Sequence, residues 1–301
     1  MTPARTALLV HNPTAGDRPV PCEAITDALR AAGYAARAVS AKGDDLDAAF
    51  AAARTEPVDL VVVAGGDGTV AKAMARLDGA APPLALLPLG TANNLARAIG
   101  VCRPWRDLVA GIGAAEPAAF RLGLVADGSG ETPFVETVDV GALAAGLAAA
   151  GGTGLDGAAK LAHGRARLAE AVRDAPAIRV ALGLDGAAPV AEDVLLAAVL
   201  NVGLSGPNLR LSAMRPGSGV LEIATLPAAD RGAFLAWLEH GGDAPAPLAR
   251  RRARQVTLAP PEGAALRVDD DMREARASER LAIAARAHPI AVLVPPPRRA
   301  P

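Results

Sequence analysis

Residues 59–69 read Asp59-Leu60-Val61-Val62-Val63-Ala64-Gly65-Gly66-Asp67-Gly68-Thr69. An apolar, β-branched run that ends in glycines, one acid and one hydroxyl predicts a buried strand opening straight into a loop. Such a loop packs poorly but suits phosphate. Glycine turns through positive φ and lets the backbone come close to a ligand, and the N–H groups of the turn and of the next helix start point at anionic oxygens. Asp67 adds a carboxylate able to hold Mg²⁺, and Thr69 a hydroxyl for a phosphate oxygen.

Outward from this loop the first hundred residues alternate between strand and helix patterns. Strands are expected at Ala7–His11, Ala35–Ser40, Leu60–Ala64 and Leu84–Leu87, and helices at Cys22–Ala32, Leu46–Arg54, Val70–Leu77 and Thr91–Ile99. This order predicts an α/β fold, a three-layer nucleotide-binding domain around a parallel sheet. Ligands of such sheets sit at the carboxyl ends of the strands. The turn Asn12-Pro13-Thr14-Ala15-Gly16, the loop Gly65–Thr69 and the segment Pro88–Asn94 all fall there. In the last of these Gly90 gives the sharp exit from a strand, Thr91 is placed to cap the following helix, and Asn93 and Asn94 bring amides to the edge that holds Asp67.

From about Phe120 the texture changes to short apolar or alternating segments: Pro133–Val140, Ile178–Leu184, Val194–Asn201, Leu221–Leu226, Gln255–Leu258 and Leu266–Val268. They predict a mostly antiparallel, β-rich second domain over residues 120–285. Ala291–Val294 reads as a late strand returning to the first domain, which then comprises residues 1–119 and 286–301. Pro295–Pro301 reads as a disordered tail. The turn Val268-Asp269-Asp270-Asp271-Met272 stands out in the second domain, because a carboxylate that orients and deprotonates a hydroxyl is what a phosphate loop lacks for transfer chemistry.

Composition narrows the function classes. The net charge of −1 gives no global case for nucleic-acid binding. Cys22 and Cys102 lack metal-ligand spacing and fit a reducing compartment. The first strand begins too early for a signal peptide, and Val140–Gly152 is too short to span a bilayer. The expectation is a cytoplasmic protein without a transmembrane segment, free to touch the inner membrane face. Homodimerisation stays open. The basic run Arg250-Arg251-Arg252-Ala253-Arg254 reads by default as a solvated strand or loop, with a lipid headgroup as the second reading.

Gly-Gly-Asp-Gly-Thr, followed some twenty residues later by Pro88-Leu89-Gly90-Thr91-Ala92-Asn93-Asn94-Leu95-Ala96-Arg97, resembles the diacylglycerol kinase catalytic family of bacterial lipid kinases and sphingosine kinases. Asn12-Pro13-Thr14-Ala15-Gly16 matches that family's opening turn, and Asn201-Val202-Gly203 resembles its second-domain turn. The resemblance implies an ATP-dependent kinase acting on a lipid hydroxyl at a membrane surface. It implies that Asn12, Pro13, Thr14, Ala15, Gly16, Gly65, Gly66, Asp67, Gly68, Thr69, Thr91 and Asn93 hold ATP, with Ser40 near the adenosine and Mg²⁺ at Asp67. It also implies a general base in the acidic turn, Asp271 or failing it Asp269, and a structural Mg²⁺ in the second domain near Ser218.

The chain departs from that pattern at several points. The family's Asp-Gly-Glu is here Asp269-Asp270-Asp271, one methylene shorter at its end; Ala71-Lys72 replace Asn-Glu; and Ser218 stands where a metal-binding Asp belongs. These departures favour, as an alternative, a weakly active or inactive nucleotide- or lipid-binding relative. Gly-Gly-Asp-Gly-Thr by itself also fits a kinase of a soluble substrate such as NAD.

Overall fold

The computed structural model describes residues 5–77, 81–151, 154–241 and 244–296. The chain divides into two compact units, Met1–Phe120 with His288–Pro301, and Arg121–Ala287.

The first unit is built on one six-stranded sheet. Its strands are β1 (Arg5–His11), β2 (Tyr34–Ser40), β3 (Leu60–Gly65), β4 (Leu84–Pro88), β5 (Glu116–Phe120) and the closing strand Ile290–Val294. Their order is β2-β1-β3-β4, then the closing strand, then β5. All neighbours are parallel except the closing strand with β5. The centre of the sheet is apolar on both faces: Leu8, Leu9, Val10, Val62, Val63 and Leu84 are fully buried, as expected where helices cover both sides of a parallel sheet. From β1 the chain moves first outward to β2 and then to the opposite side as β3. The topological switch point, where doubly wound sheets open a crevice, therefore lies between the carboxyl ends of β1 and β3.

The helices are α1 (Cys22–Ala31), α2 (Leu46–Thr55), α3 (Asp67–Met74), α4 (Asn94–Ala98) and α5 (Trp105–Gly111). Arg76, just past α3, forks onto Asp47 of α2 at 2.8 and 3.0 Å. Two expected helices begin elsewhere. The third starts at Asp67 rather than Val70, because Gly66 already takes the extended cap conformation and its carbonyl accepts from Thr69 and Val70 N–H. The fourth is only Asn94–Ala98, because Asn93 at its cap is left-handed, with φ of 51°. Pro295 and Pro296, read as the start of a tail, are held through their carbonyls by Arg103 at 2.8 and 2.9 Å. Residues 297–301 of that tail lie outside the described residues.

The second unit has two antiparallel six-stranded sheets. One runs Val190–Val194, Ile178–Leu184, Gln255–Ala259, Leu281–Ala285, Gly123–Ala126, Glu131–Phe134; the other runs Ala249–Ala253, Leu221–Leu226, Leu196–Leu200, Thr137–Gly141, Ala265–Val268, Asp271–Glu274. Side chains from both, among them Phe134, Val138, Val180, Val199, Ile223 and Leu258, form one core. On its other face the second sheet packs Ala198, Leu200 and Leu226 against Leu143, Leu168 and Phe234 of the helices Ala142–Ala149, Gly157–Asp174 and Arg231–Glu239. The expected strand Pro133–Val140 is two strands, since the backbone N–H groups of Val135, Glu136 and Thr137 turn aside to the Asp269 carboxylate. The basic run is an edge strand whose arginines are paired: Arg251 with Glu192 (3.0 Å to Oε2), and Arg252 and Arg250 with Glu222 at 3.1 and 3.6 Å. Charged side chains on an edge strand also discourage pairing with another chain.

Candidate functional site

Three loops meet at the carboxyl ends of β1, β3 and β4. Asn12 N donates to Ala64 O and Leu89 N to Gly65 O, each at 2.9 Å, so the strands remain joined to their last residues. Beyond them, glycines let the loops touch backbone to backbone. Gly16 sits at φ +71°, and a Cβ there would overlap the Leu89 carbonyl oxygen. A Cβ on Gly90 would stand 2.5 Å from Gly66 Cα, and one on Gly66 would stand 3.2 Å from Gly90 Cα. Side chains then brace the cluster. Asn12 Nδ2 donates to Thr69 Oγ1 at 3.2 Å, and Asn12 Oδ1 accepts from Thr14 N at 3.1 Å. Asn93 closes its own loop, taking Gly90 N–H at 2.9 Å and giving to Gly90 O at 2.6 Å.

The residues expected here are thus brought together: Asn12 to Gly16, Gly65 to Thr69, and the segment that holds Thr91 and Asn93. Asp67, Gly68 and Thr69 form the first turn of α3, where a helix leaves backbone N–H groups without intrahelical partners and carries positive dipole charge. Thr91 lies in the turn before α4 and does not cap it; Asn93 occupies the cap position. Ser40 ends β2, its Oγ bonded to Lys42 O at 2.8 Å. It lines a cleft of about 480 Å³ with His11, Pro13, Val20, Cys22 and Val39, directly beside the Asn12–Gly16 turn. His11 is buried, with Nε2 2.9 Å from Val20 O, and shapes that wall. Val20 and Cys22 carried no signal in the sequence, because they belong to the cleft only through the way the turn folds back.

The acidic turn lies in the second unit between the strands Ala265–Val268 and Asp271–Glu274. Its first carboxylate differs sharply in setting from the other two, which are exposed. Asp269 accepts from Val135 N at 2.6 Å, Glu136 N at 2.7 Å and Thr137 N at 3.1 Å. Burial pushes its pKa up to about 6, against the opposing pull of those three amides and of Arg267. With both oxygens engaged, Asp269 is built to hold the turn. Asp271 is exposed at the start of its strand.

The expected structural Mg²⁺ of this unit is not supported by the residues present. Ser218 Oγ is 3.4 Å from Val220 N and 3.5 Å from Val220 O, within its own loop. A Cβ on Gly219 would stand 3.1 Å from Arg121 Cδ and 3.6 Å from Nε, so a cationic side chain already covers the loop. Among the described residues no three His, Cys, Asp or Glu side chains cluster as a metal site. Hard cations want several oxygens, and this loop offers a lone hydroxyl beside a guanidinium.

Residues 6–125 match the family model of the diacylglycerol kinase catalytic domain. Over 105 residues the chain is 39% identical to the diacylglycerol kinase of Bacillus subtilis, an alignment covering 32% of this chain and 34% of that protein. Over 71 residues it is 46% identical to the probable lipid kinase YegS-like protein of Stenotrophomonas maltophilia, covering 22% and 23%. The chain therefore matches about a third or less of these relatives' length. The crystal structure of a diacylglycerol kinase from Bacillus anthracis superposes over 97% of each chain with a TM-score of 0.67 at 16% identity. At that identity the likeness is one of fold, an α/β domain with a parallel sheet followed by a mostly antiparallel β-rich domain.

Three outcomes are expected. Gly16→Ala, strained at positive φ and crowded against Leu89 O, should destabilise the protein by about 1–3 kcal/mol in urea unfolding; an unchanged midpoint would show that the loops do not interlock. Asp269 has its pKa raised from 3.8 unfolded to about 6 folded, so its contribution is fully present below about pH 4 and is lost as pH rises through 6. The stability of wild type relative to Asp269→Asn should thus fall by on the order of 3 kcal/mol between pH 4 and 7, and a flat difference would contradict the burial. Finally, nucleotide-free protein should melt within about 1 °C of the same temperature in excess EDTA and in millimolar Mg²⁺; a clear drop on chelation would restore the structural metal.

Proposed function

We propose that this chain, whose residues 6–125 match the family model of the diacylglycerol kinase catalytic domain, is an ATP-dependent lipid kinase that transfers the γ-phosphate to a lipid hydroxyl. The observation that supports this most is the interlocked glycine cluster of Gly16, Gly66 and Gly90 at the switch point of the first unit. It removes side chains from the place where a triphosphate needs backbone N–H groups. The names of the relatives, a diacylglycerol kinase and a probable lipid kinase, add a lipid acceptor.

In this reading Asn12 to Gly16 and Gly65 to Thr69 enclose the phosphates, helped by the start of α3, and Thr91 and Asn93 complete the wall. The cleft lined by Ser40, Pro13 and His11 takes the nucleoside end. Asp67 is the carboxylate that would hold Mg²⁺ together with nucleotide oxygens, and the ion would supply charge neutralisation at the phosphates. Asp271 orients the acceptor hydroxyl and takes its proton as the oxygen–phosphorus bond forms, with ADP leaving. Asp269 keeps the turn in place. No helix among the described residues is long and apolar enough to cross a membrane, and a kinase of this kind meets its lipid at a bilayer surface, on the cytoplasmic face where ATP is supplied.

Purified protein, labelled ATP and a panel of diacylglycerols and sphingoid bases in detergent micelles test the proposal. Transfer to a lipid is expected, with Asp67→Asn and Asp271→Asn each lowering kcat by at least about 10²-fold. Tight ATP binding with no transfer to any lipid would leave a nucleotide-binding relative, the reading that the shortened acidic turn favours. Transfer to NAD without micelles would point to a soluble substrate.

A further inference from the structure

We propose that Arg267, together with Asp139 and Thr137, is the positioning apparatus of Asp271; this rests on the reading of Asp271 as the base. Arg267 and Asp139 are cross-strand partners and are 3% and 0% exposed. Arg267 grips the Asp139 carboxylate through Nε at 3.0 Å and Nη2 at 2.6 Å. Nη2 also reaches Ser205 Oγ at 2.6 Å, while Nη1 donates to the main-chain oxygen of Asp269 at 2.7 Å. Thr137 completes a closed circuit. Its Oγ1 donates to Asp139 Oδ2 at 2.9 Å, its N–H donates to Asp269 Oδ1 at 3.1 Å, and its carbonyl accepts from Asp269 N at 2.9 Å.

Asp269 is therefore held by its N–H, its carbonyl and its side chain at once, in a left-handed conformation with φ of 49°. A buried ion pair pays heavily in desolvation and is weak evidence for stability. What this one delivers is a fixed turn, two residues before the proposed base. The need is specific to this chain: an Asp in place of the family's Glu reaches one methylene less far, so a displaced turn has less slack to absorb. Arg267 is too deeply buried to meet a substrate, and its effect passes through the turn.

The test compares kcat, KM for ATP, melting temperature and the pH profile of kcat for wild type, Asp271→Asn, Arg267→Lys, Thr137→Val and Thr137→Ser, with labelled ATP and the lipid micelles on which the wild type is active. Arg267→Lys keeps the charge but loses the fork, and Thr137→Val opens the circuit at one bond while conserving shape. Both should lower kcat by about 10- to 100-fold, leave KM for ATP within about twofold, and remain folded at the assay temperature. Thr137→Ser, which restores the hydroxyl, should recover most of the turnover. Full turnover in Arg267→Lys and Thr137→Val beside a dead Asp271→Asn would overturn the proposal alone, as would losses that merely track the unfolded fraction. An active Asp271→Asn, or a wild type that phosphorylates no lipid, would overturn the assignment of the base and the circuit with it.

Discussion

Everything at the candidate site depends on backbone touching backbone where side chains are absent. Gly16 lies against the Leu89 carbonyl and Gly66 against Gly90, so loops that leave three different strands share one small volume. A methyl group at any of these positions would need the room that another loop's main chain occupies. The sheet order places these loops at the edge where its winding reverses, and the glycines allow them to close on one another there. Asn12 and Asn93 then convert proximity into a rigid cradle through bonds to Thr69 and Gly90. The cost of such a cradle is that it contributes little apolar burial of its own; the buried valines and leucines of β1, β3 and β4 carry that load beneath it.

The second unit pins one hairpin turn while leaving a neighbouring carboxylate exposed. It does so by dividing the acidic turn into two roles. Asp269 is partly buried, and its oxygens take the amides of Val135, Glu136 and Thr137, where the expected single strand divides. Asp271 stays exposed. Desolvation raises the pKa of the first to about 6, a sign that the fold spends stability on this arrangement near neutral pH. Farther along the same hairpin Arg273 is clamped by Glu279 at 2.5 and 2.9 Å, so the strand that carries Asp271 is anchored downstream as well.

Much of this was legible in the residues. The alternation of the first hundred positions predicted the parallel sheet because strand and helix periods differ and each is repeated several times. The glycine loop was legible because so small a set of side chains after a buried strand has few other uses. Less legible were the ends of elements. Thr91 looked like a cap, but the cap position fell to Asn93, since only its amide both tolerates the left-handed turn and closes back on Gly90. Arg250 to Arg252 read as a solvated strand or loop and form an edge strand, but the partners that meet their charges, Glu192 and Glu222, are distant in sequence.

The sequence by itself determined the fold class and the glycine loops that meet at one edge of the sheet, because periodicity and glycine content are local properties that neighbouring residues cannot hide. Only the tertiary structure decided that Asp269 is the acid of Asp269-Asp270-Asp271 whose carboxylate is engaged by main-chain amides while the other two stay exposed, that Arg121 covers the loop beside Ser218, and that Arg267 finds Asp139. Those outcomes depend on pairs far apart in the chain or on opposite sides of a turn, and burial, unlike periodicity, is set by what the rest of the chain brings to the place.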